Sequence, residues 1–139
     1  MARPPVTGLL ETALYVADVA RSRDFYQDLF GFEAMVSEER ICALDVAPNQ
    51  VLLLFRRGGT LKPVQTPGGV IPAHDGGGEQ HFAFGIPADS LDEWEAYLIG
   101  KGIEIESRVD WPQGGTSLYF RDPDRLAVEL ATPGIWKNN

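Results

Sequence analysis

The feature that most constrains how this 139-residue chain can fold is an order of predicted elements that occurs twice. Each half begins with a strand whose two faces differ, continues with a helix, and closes with three short strands. The first strand is predicted within 9–17 and its helix at 19–30; the second half restarts with a strand at 81–86 and a helix opening at 87–90. A repeat of roughly 70 residues is too long for a solenoid, so it predicts two duplicated βαβββ half-domains.

The remaining strands are delimited by turn residues. They are predicted at 32–37, 40–46 and 50–56 in the first half, and at 103–109, 116–121 and 126–131 in the second. Between the halves, glycine and proline are frequent and no periodicity is visible, which is typical of a linker or an active-site loop. We therefore predict one α+β domain, with module one at 9–57, a linker loop at 58–79, module two at 80–132 and a tail at 133–139.

The charge of the chain restricts its partners. Twelve Lys and Arg stand against twenty Asp and Glu, giving a net charge of −8 without any basic run. Nucleic acids and anionic membranes are recognised by clustered basic residues, so neither is expected as a partner. No apolar stretch approaches the length of a membrane span or signal peptide, and the lone Cys42 can form no internal disulfide. These features predict a cytoplasmic protein.

Three polar residues occupy related strand positions in the two halves. Superimposing the halves places Glu11 against His81 in the first strands, and Leu54 against Glu129 in the last strands. Glu129 stands in an otherwise apolar strand, where a buried carboxylate has to be paired, protonated or bound to a metal. Two carboxylates and one imidazole are metal-ligand types, so a metal site is one interpretation. The alternative is a structural histidine and a paired carboxylate.

Short motifs follow one another in a fixed order over 9–132. They are VADVARS at 16–22 before Phe25-Tyr26, LFGF at 29–32, HFAF at 81–84, and SLYFRDPD at 117–124 ahead of Glu129. In order and spacing they resemble the vicinal oxygen chelate superfamily, which includes glyoxalase I, fosfomycin- and bleomycin-resistance proteins and extradiol dioxygenases. The resemblance implies two tandem βαβββ modules forming a curled mixed sheet around an open cavity. It also implies a homodimer, and the apolar pair Ile135-Trp136 predicts a packing surface.

The resemblance further implies a divalent metal held by the first and last strands of the modules. Glu11, His81 and Glu129 match three of those positions, and Leu54 falls where glyoxalase I has a carboxylate. The first position is usually His or Gln, so Glu11 is a departure. Such oxygen-rich ligands suit Mn²⁺, Fe²⁺, Zn²⁺ or Mg²⁺, and Glu129 or Glu11 is the candidate catalytic base.

The candidate substrate contacts come from several segments. Tyr15 and Arg56 are assigned from strand parity, the latter through the Leu54 alignment. Ser117 and Tyr119 match positions that contact substrate in fosfomycin-resistance relatives. Trp111 and His74 lie in glycine-rich loops that would rim the opening, although an exposed loop residue is the simpler interpretation of His74.

Two functions from different classes remain open. The first is a glyoxalase-like, divalent-metal-dependent enzyme that chelates vicinal oxygens of a small substrate as an isomerase, lyase, dioxygenase or transferase. The second is a metal-free protein of the bleomycin-resistance type that sequesters a small molecule, with which the charge of −8, Trp111 and Tyr119 are compatible.

Overall fold

The computed structural model describes residues 1–139 and repeats one order of elements in two units. Unit one comprises Met1–Gly77 and unit two comprises Gly78–Asn139. Unit one contains β1 (Glu11–Val16), α1 (Val19–Phe30), β2 (Glu33–Ser37), β3 (Ile41–Ala47) and β4 (Gln50–Arg56), followed by β5 (Val64–Thr66) and β6 (Gly69–Ile71). Unit two contains β7 (His81–Gly85), a 3₁₀ turn (Ala88–Ser90), α2 (Leu91–Gly100), β8 (Ser107–Asp110), β9 (Thr116–Arg121) and β10 (Ala127–Ala131).

Each unit is built on a four-stranded mixed sheet of the same topology. The strand order is β1-β4-β3-β2 in unit one and β7-β10-β9-β8 in unit two. In both sheets the first and last strands of the module pair in parallel, and the remaining pairs are antiparallel. The predicted α+β class with duplicated βαβββ modules is confirmed. Neither helix combines the length and the apolar composition that crossing a membrane requires.

The helix of unit one covers one face of its sheet. Asp18 caps α1 by accepting a hydrogen bond from the backbone N–H of Arg21 at 3.2 Å. Gly31 ends the helix in the left-handed region at φ 74°, where a residue without Cβ is favoured. The helix packs on β3 and β4. The buried side chains of this core include Tyr26, Leu29, Leu14, Leu44 and Leu54.

Unit two has its own apolar core. Leu98 of α2 is fully buried, as are Leu118 and Phe120 of β9 and Val128 and Leu130 of β10. These strand residues alternate with the polar positions described below, because successive side chains of a strand point to opposite faces of the sheet. The polar positions of these strands therefore lie on the face of the sheet opposite to this core.

Two predicted segments differ from the structure. The interval 58–79 contains the hairpin β5–β6, closed by Thr66 and Gly69, where only a loop was expected. The strand predicted at 103–109 begins only at Ser107. The backbone N–H groups of Gly102 and Ile103 bond back to the carbonyls of Ile99 and Leu98, so these residues terminate α2 and cannot join the sheet.

Candidate functional site

His81 and Glu129 lie on one face of the unit-two sheet. β7 and β10 are parallel neighbours in which His81 is opposite Ala127, and Glu129 is opposite Ala83. Residues opposite one another share a face, so the two side chains converge. Nε2 of His81 lies 3.1 Å from Oε1 of Glu129. The carboxylate is almost fully buried, with 7% of its side chain exposed, whereas half of the imidazole is exposed.

The other ring nitrogen fixes the tautomer of His81. Nδ1 lies 2.9 Å from the carbonyl oxygen of Ala127, which can only accept a hydrogen bond, so Nδ1 carries the hydrogen. In the neutral ring, Nε2 then presents a lone pair to a carboxylate oxygen. Two acceptors at this distance require a proton or a metal cation between them.

The second oxygen of Glu129 is held by a chain of hydrogen bonds. The Ser117 hydroxyl donates to Oε2 at 2.5 Å, and the Trp111 indole N–H donates to the Ser117 oxygen at 2.8 Å. A buried carboxylate is costly unless its oxygens have partners, and this chain supplies one of them. The consequence is that Oε1 faces His81 while Oε2 is occupied.

Tyr119 completes this face. It stands opposite Glu129 in the β9–β10 pairing, and its ring centroid lies 6.0 Å from that of His81. Burial raises the pKa of the Tyr119 phenol, and the negative charge of Glu129 raises that pKa further. Tyr119 therefore keeps its proton at neutral pH, and its hydroxyl lies within hydrogen-bonding reach of Glu129 and Ser117.

Glu11 occupies in unit one the place that His81 occupies in unit two. Each is the first residue of a strand that pairs in parallel with the last strand of its module, Glu11 opposite Val51 and His81 opposite Ala127. Glu11 is exposed. It lies at the edge of a cavity in unit one.

The predicted equivalence of Leu54 and Glu129 was wrong by one residue. Glu129 is opposite Ala83 in β10–β7, and the corresponding pair in β4–β1 is Leu53 opposite Ala13. Leu54 is fully buried on the opposite face. A shift of one residue turns a strand side chain to the other face of its sheet. Because 51–55 is apolar at every position, its sequence does not show which residues face which side. Leu53 is equally unable to bind a metal.

The same shift displaces Arg56 from the face to which it had been assigned. Arg56 is opposite Val16 in the β4–β1 register, on the parity of the buried Leu54. Its guanidinium donates to the carboxylate of Glu39 at 2.8 Å. Arg56 does not line the cavity of unit one.

Tyr15 and His74 are brought together in that cavity, which has a volume of about 560 Å³. The Tyr15 hydroxyl lies 2.6 Å from Nδ1 of His74, and both rings contact Phe55. Burial, and secondarily Asp75, raise the pKa of the Tyr15 phenol, so the phenol keeps its proton at neutral pH. Thr60 fixes the His74 backbone by donating to its carbonyl oxygen and accepting from its N–H. His74 is thus half-buried and anchored, unlike an exposed loop residue.

Sequence reasoning missed other residues of this cavity. Phe55 lies opposite Tyr15 and shares its face of the sheet, so it could have been identified if the register of β4 had been known. Arg40, Thr60 and Lys62 also line the cavity, but they come from turns that carry no periodic signal. Only the folding of these turns onto the sheet brings them together.

The donor set of His81 and Glu129 fits a divalent cation. The imidazole is oriented by a backbone carbonyl and the carboxylate by a hydroxyl, an arrangement common around metal ligands. Within neither unit do three or more His, Cys, Asp or Glu side chains gather into a group that could hold a metal ion. A metal ion bound at this pair would therefore have two ligands from it and would need others from elsewhere.

The fold and the paired imidazole and carboxylate define a protein built from duplicated βαβββ modules with a polar sheet face. A family model described as the Glyoxalase/Bleomycin resistance protein/Dioxygenase superfamily matches residues 8–130. The chain belongs to this superfamily.

Two curated relatives have different activities in their names. The metallothiol transferase FosB of Bacillus licheniformis is 26% identical over 132 residues, spanning 94% of this chain and 79% of the relative. Biphenyl-2,3-diol 1,2-dioxygenase 3 of Rhodococcus globerulus is 36% identical over 109 residues, spanning 76% of this chain but 53% of the relative. The match to the dioxygenase thus covers about half of that protein.

Solved structures show the same fold. Lactoylglutathione lyase from Agrobacterium tumefaciens superimposes with a TM-score of 0.87 at 30% identity, covering 96% of this chain and 99% of that one. The fosfomycin resistance protein FosX from Listeria monocytogenes, complexed with Mn(II) and sulfate, has a TM-score of 0.67 at 22% identity. That match covers 92% of this chain and 91% of FosX, and it shows the fold alone.

Proposed function

We propose that this protein is a divalent-metal-dependent enzyme that chelates two neighbouring oxygens of a small substrate. The observation that carries the proposal is the contact of 3.1 Å between Nε2 of His81 and Oε1 of Glu129. With Nδ1 committed to the Ala127 carbonyl, a cation between the two acceptors satisfies both. Glu11 is the proposed third ligand, because it holds the position in β1 that His81 holds in β7.

Each residue has a separate role in this proposal. A bound metal ion would polarise the substrate oxygens and stabilise negative charge that develops on them. Glu129 binds through Oε1, since Ser117 occupies its Oε2. Glu11 is the more exposed of the two carboxylates and is the proposed base that takes a proton from substrate. Tyr119, which keeps its proton and shares the face of Glu129, is the proposed substrate contact.

The proposal includes four reaction types: isomerase, lyase, dioxygenase and transferase. The relatives support a small-molecule substrate, since their names describe a thiol transferase, a diol dioxygenase and a glutathione-conjugate lyase. Mn²⁺, Fe²⁺, Zn²⁺ and Mg²⁺ all accept nitrogen and oxygen ligands, so the chain's chemistry admits each of them. We place the protein in the cytoplasm, which the single buried Cys42 supports.

A metal-free sequestering protein is the second candidate. It is supported by the cavity of about 560 Å³ in unit one, whose aromatic wall of Tyr15 and Phe55 suits an apolar ligand. In this case, a proton lies between His81 and Glu129, and the pair has only a structural role. The two candidates therefore differ in metal content.

The test is the metal content of untagged protein purified without chelator, measured by elemental analysis. We expect about one ion per chain, before or after dialysis against Mn²⁺, Fe²⁺ or Zn²⁺. His81→Ala and Glu129→Gln should each weaken metal binding about tenfold or more, because either change removes a ligand. Loaded protein is then screened with hemithioacetals of 2-oxoaldehydes, with epoxides plus thiols, and with catechols.

Matched carboxylates provide the controls. Glu11→Gln should also weaken metal binding, whereas Glu33→Gln should not, although both residues are exposed glutamates at the first position of a strand. Wild-type protein that binds no metal under any of these conditions would overturn the proposal in favour of the sequestering protein. Equal metal content in Glu11→Gln and wild type would remove Glu11 from the ligand set.

A further inference from the structure

The cavity of unit one has an apolar middle and charged ends. Its middle is formed on the sheet by Ala13 and Leu53, with Tyr15 and Phe55 alongside. The β1–β4 register places Ala13 opposite Leu53 and Tyr15 opposite Phe55, so the four side chains form a continuous surface. A volume of about 560 Å³ lies well within the range of small-ligand pockets.

The charged groups of the cavity are separated along the strands. Glu11 stands at the start of β1, four residues before Tyr15, a separation of about 13 Å at about 3.3 Å per residue. Arg40 immediately precedes Ile41, which is opposite Phe55, so Arg40 lies at the Tyr15 end. Lys62 is the other cation that lines the cavity.

The two cations have no internal counter-ion. The carboxylate beside Arg40 in sequence, that of Glu39, pairs with Arg56 at 2.8 Å. The guanidinium of Arg40 reaches only the backbone oxygen of Gly59, at 3.4 Å. Its aliphatic stem lies against Gly59, which keeps the head group beside the turn that leads to Lys62. Two of the residues that line this cavity are cations and one, Glu11 at the other end, is a carboxylate, while the charge of Asp75 acts on the nearby Tyr15 phenol.

The cover over the aromatic end of the cavity is anchored. His74 is hydrogen bonded to Tyr15 and to Thr60, and Gly76 approaches the Tyr15 ring so closely that a Cβ there would overlap it. The segment therefore holds a fixed position over the ring. A preformed cavity binds a ligand without the cost of ordering its walls.

We propose that this cavity binds a small organic anion with an aromatic or branched apolar body. The body lies on Ala13, Leu53 and Phe55, and the anionic group pairs with Arg40 and Lys62. The opposite end of the ligand then lies towards Glu11. Its reaction at that end rests on the proposed function, whereas the binding of the anion does not.

The test is isothermal titration calorimetry of the full-length chain with 4-phenylbutyrate as the probe. Neutral 4-phenylbutanamide has the same phenylpropyl body, cationic 4-phenylbutylamine has one more methylene in its body, and the three probes differ in charge. We expect the carboxylate to bind about tenfold or more tightly than either analogue, because only the carboxylate pairs with the cations. The double variant Arg40→Gln/Lys62→Gln should remove this preference and leave the weaker binding of the amide unchanged.

Two further variants separate the cavity from bulk electrostatics. Arg108→Gln/Arg125→Gln makes the same change in net charge at exposed positions of unit two and should bind 4-phenylbutyrate as wild type does. Ala13→Leu fills the middle of the cavity and should weaken all three probes. Circular dichroism and thermal unfolding confirm that each variant is folded.

Several outcomes would overturn this inference. They are equal affinity for the three probes, an equal loss of carboxylate binding in both double variants, or undiminished binding in folded Ala13→Leu. The titrations are made on chelator-treated and on metal-loaded protein, with metal content measured separately. If the protein binds metal but not the anion, the cavity proposal alone is rejected. If it binds the anion but takes up no metal under any loading condition, the proposed enzyme alone is rejected.

Discussion

Glu129 is a carboxylate enclosed by buried apolar residues and by two polar partners. It is 5% exposed and lies between the fully buried Val128 and Leu130. Its two oxygens have different neighbours, His81 at Oε1 and Ser117 at Oε2. Removing a partner from a buried carboxylate leaves an uncompensated charge, which is costly to the fold. The side chains that orient Glu129 are therefore expected to affect both stability and ligand binding.

Trp111 is predicted to affect the proposed metal site without contacting the metal. Its indole N–H holds the Ser117 hydroxyl, which in turn holds Oε2 of Glu129. Trp111→Phe keeps the ring but removes the donor, so Glu129 becomes less well oriented. We expect metal affinity to fall about tenfold, measured by competition with a chromogenic chelator.

The control for this variant is Trp94→Phe. Trp94 lies in α2 and stacks edge-on against Tyr97, so its replacement should leave metal affinity unchanged. Equal metal affinity in Trp111→Phe and wild type would show that the hydrogen-bond chain does not orient the carboxylate.

At the scale of elements, the two helices begin differently. The side chain of Asp18 accepts a hydrogen bond from the first turn of α1, whereas the Ser90 side chain at the start of α2 makes no such bond and donates to the Pro87 carbonyl instead. The bounds of α1 were predicted from the sequence because its cap, apolar periodicity and terminal Gly31 all agree. The start of β8 was not predicted correctly. The apolar pattern assigns Ile103 to a strand, but the backbone of Gly102 and Ile103 bonds back to α2 and ends that helix.

Asp18→Ala is predicted to destabilise the protein by about 1 kcal/mol, because it removes the side-chain acceptor at the start of α1. The measurement is the free energy of unfolding from urea denaturation, with wild type and variant compared under the same conditions. Ser90→Ala is the matched substitution at a cap that makes no bond to its helix, and it should cost less. A larger loss in Ser90→Ala than in Asp18→Ala would contradict this account.

At the scale of the whole molecule, apolar side chains remain exposed on a single chain. Trp136 is 69% exposed and, with Trp111, Pro112 and Ile135, borders a pocket of about 240 Å³ in unit two. Large exposed apolar patches mark interaction surfaces. We propose that the protein is a homodimer and that this surface contributes to its contact.

Sedimentation velocity over a range of concentrations tests the proposed dimer. Wild-type protein should sediment as a dimer, and Trp136→Ser should shift the equilibrium towards monomer because it removes apolar contact area. Ile99→Ser removes a comparably exposed apolar residue from α2 and serves as the control. A monomer at all concentrations in wild type would reject the dimer, and equal shifts in both variants would reject the assigned surface.

The amino-acid sequence alone determined the element order, the duplication, and the polar residues that interrupt apolar strands. These are local properties, set by side-chain periodicity, capping residues and glycines that end helices. Only the tertiary structure decided the register of β4, and with it the faces of Leu53, Leu54 and Arg56. When every residue of a strand is apolar, the sequence does not show which side chains face the core. Hydrogen bonding to β1 decides which face of the sheet each side chain of β4 occupies. The structure likewise assembled the cavity of unit one, because Arg40, Lys62 and His74 come from turns that fold onto the sheet through long-range contacts.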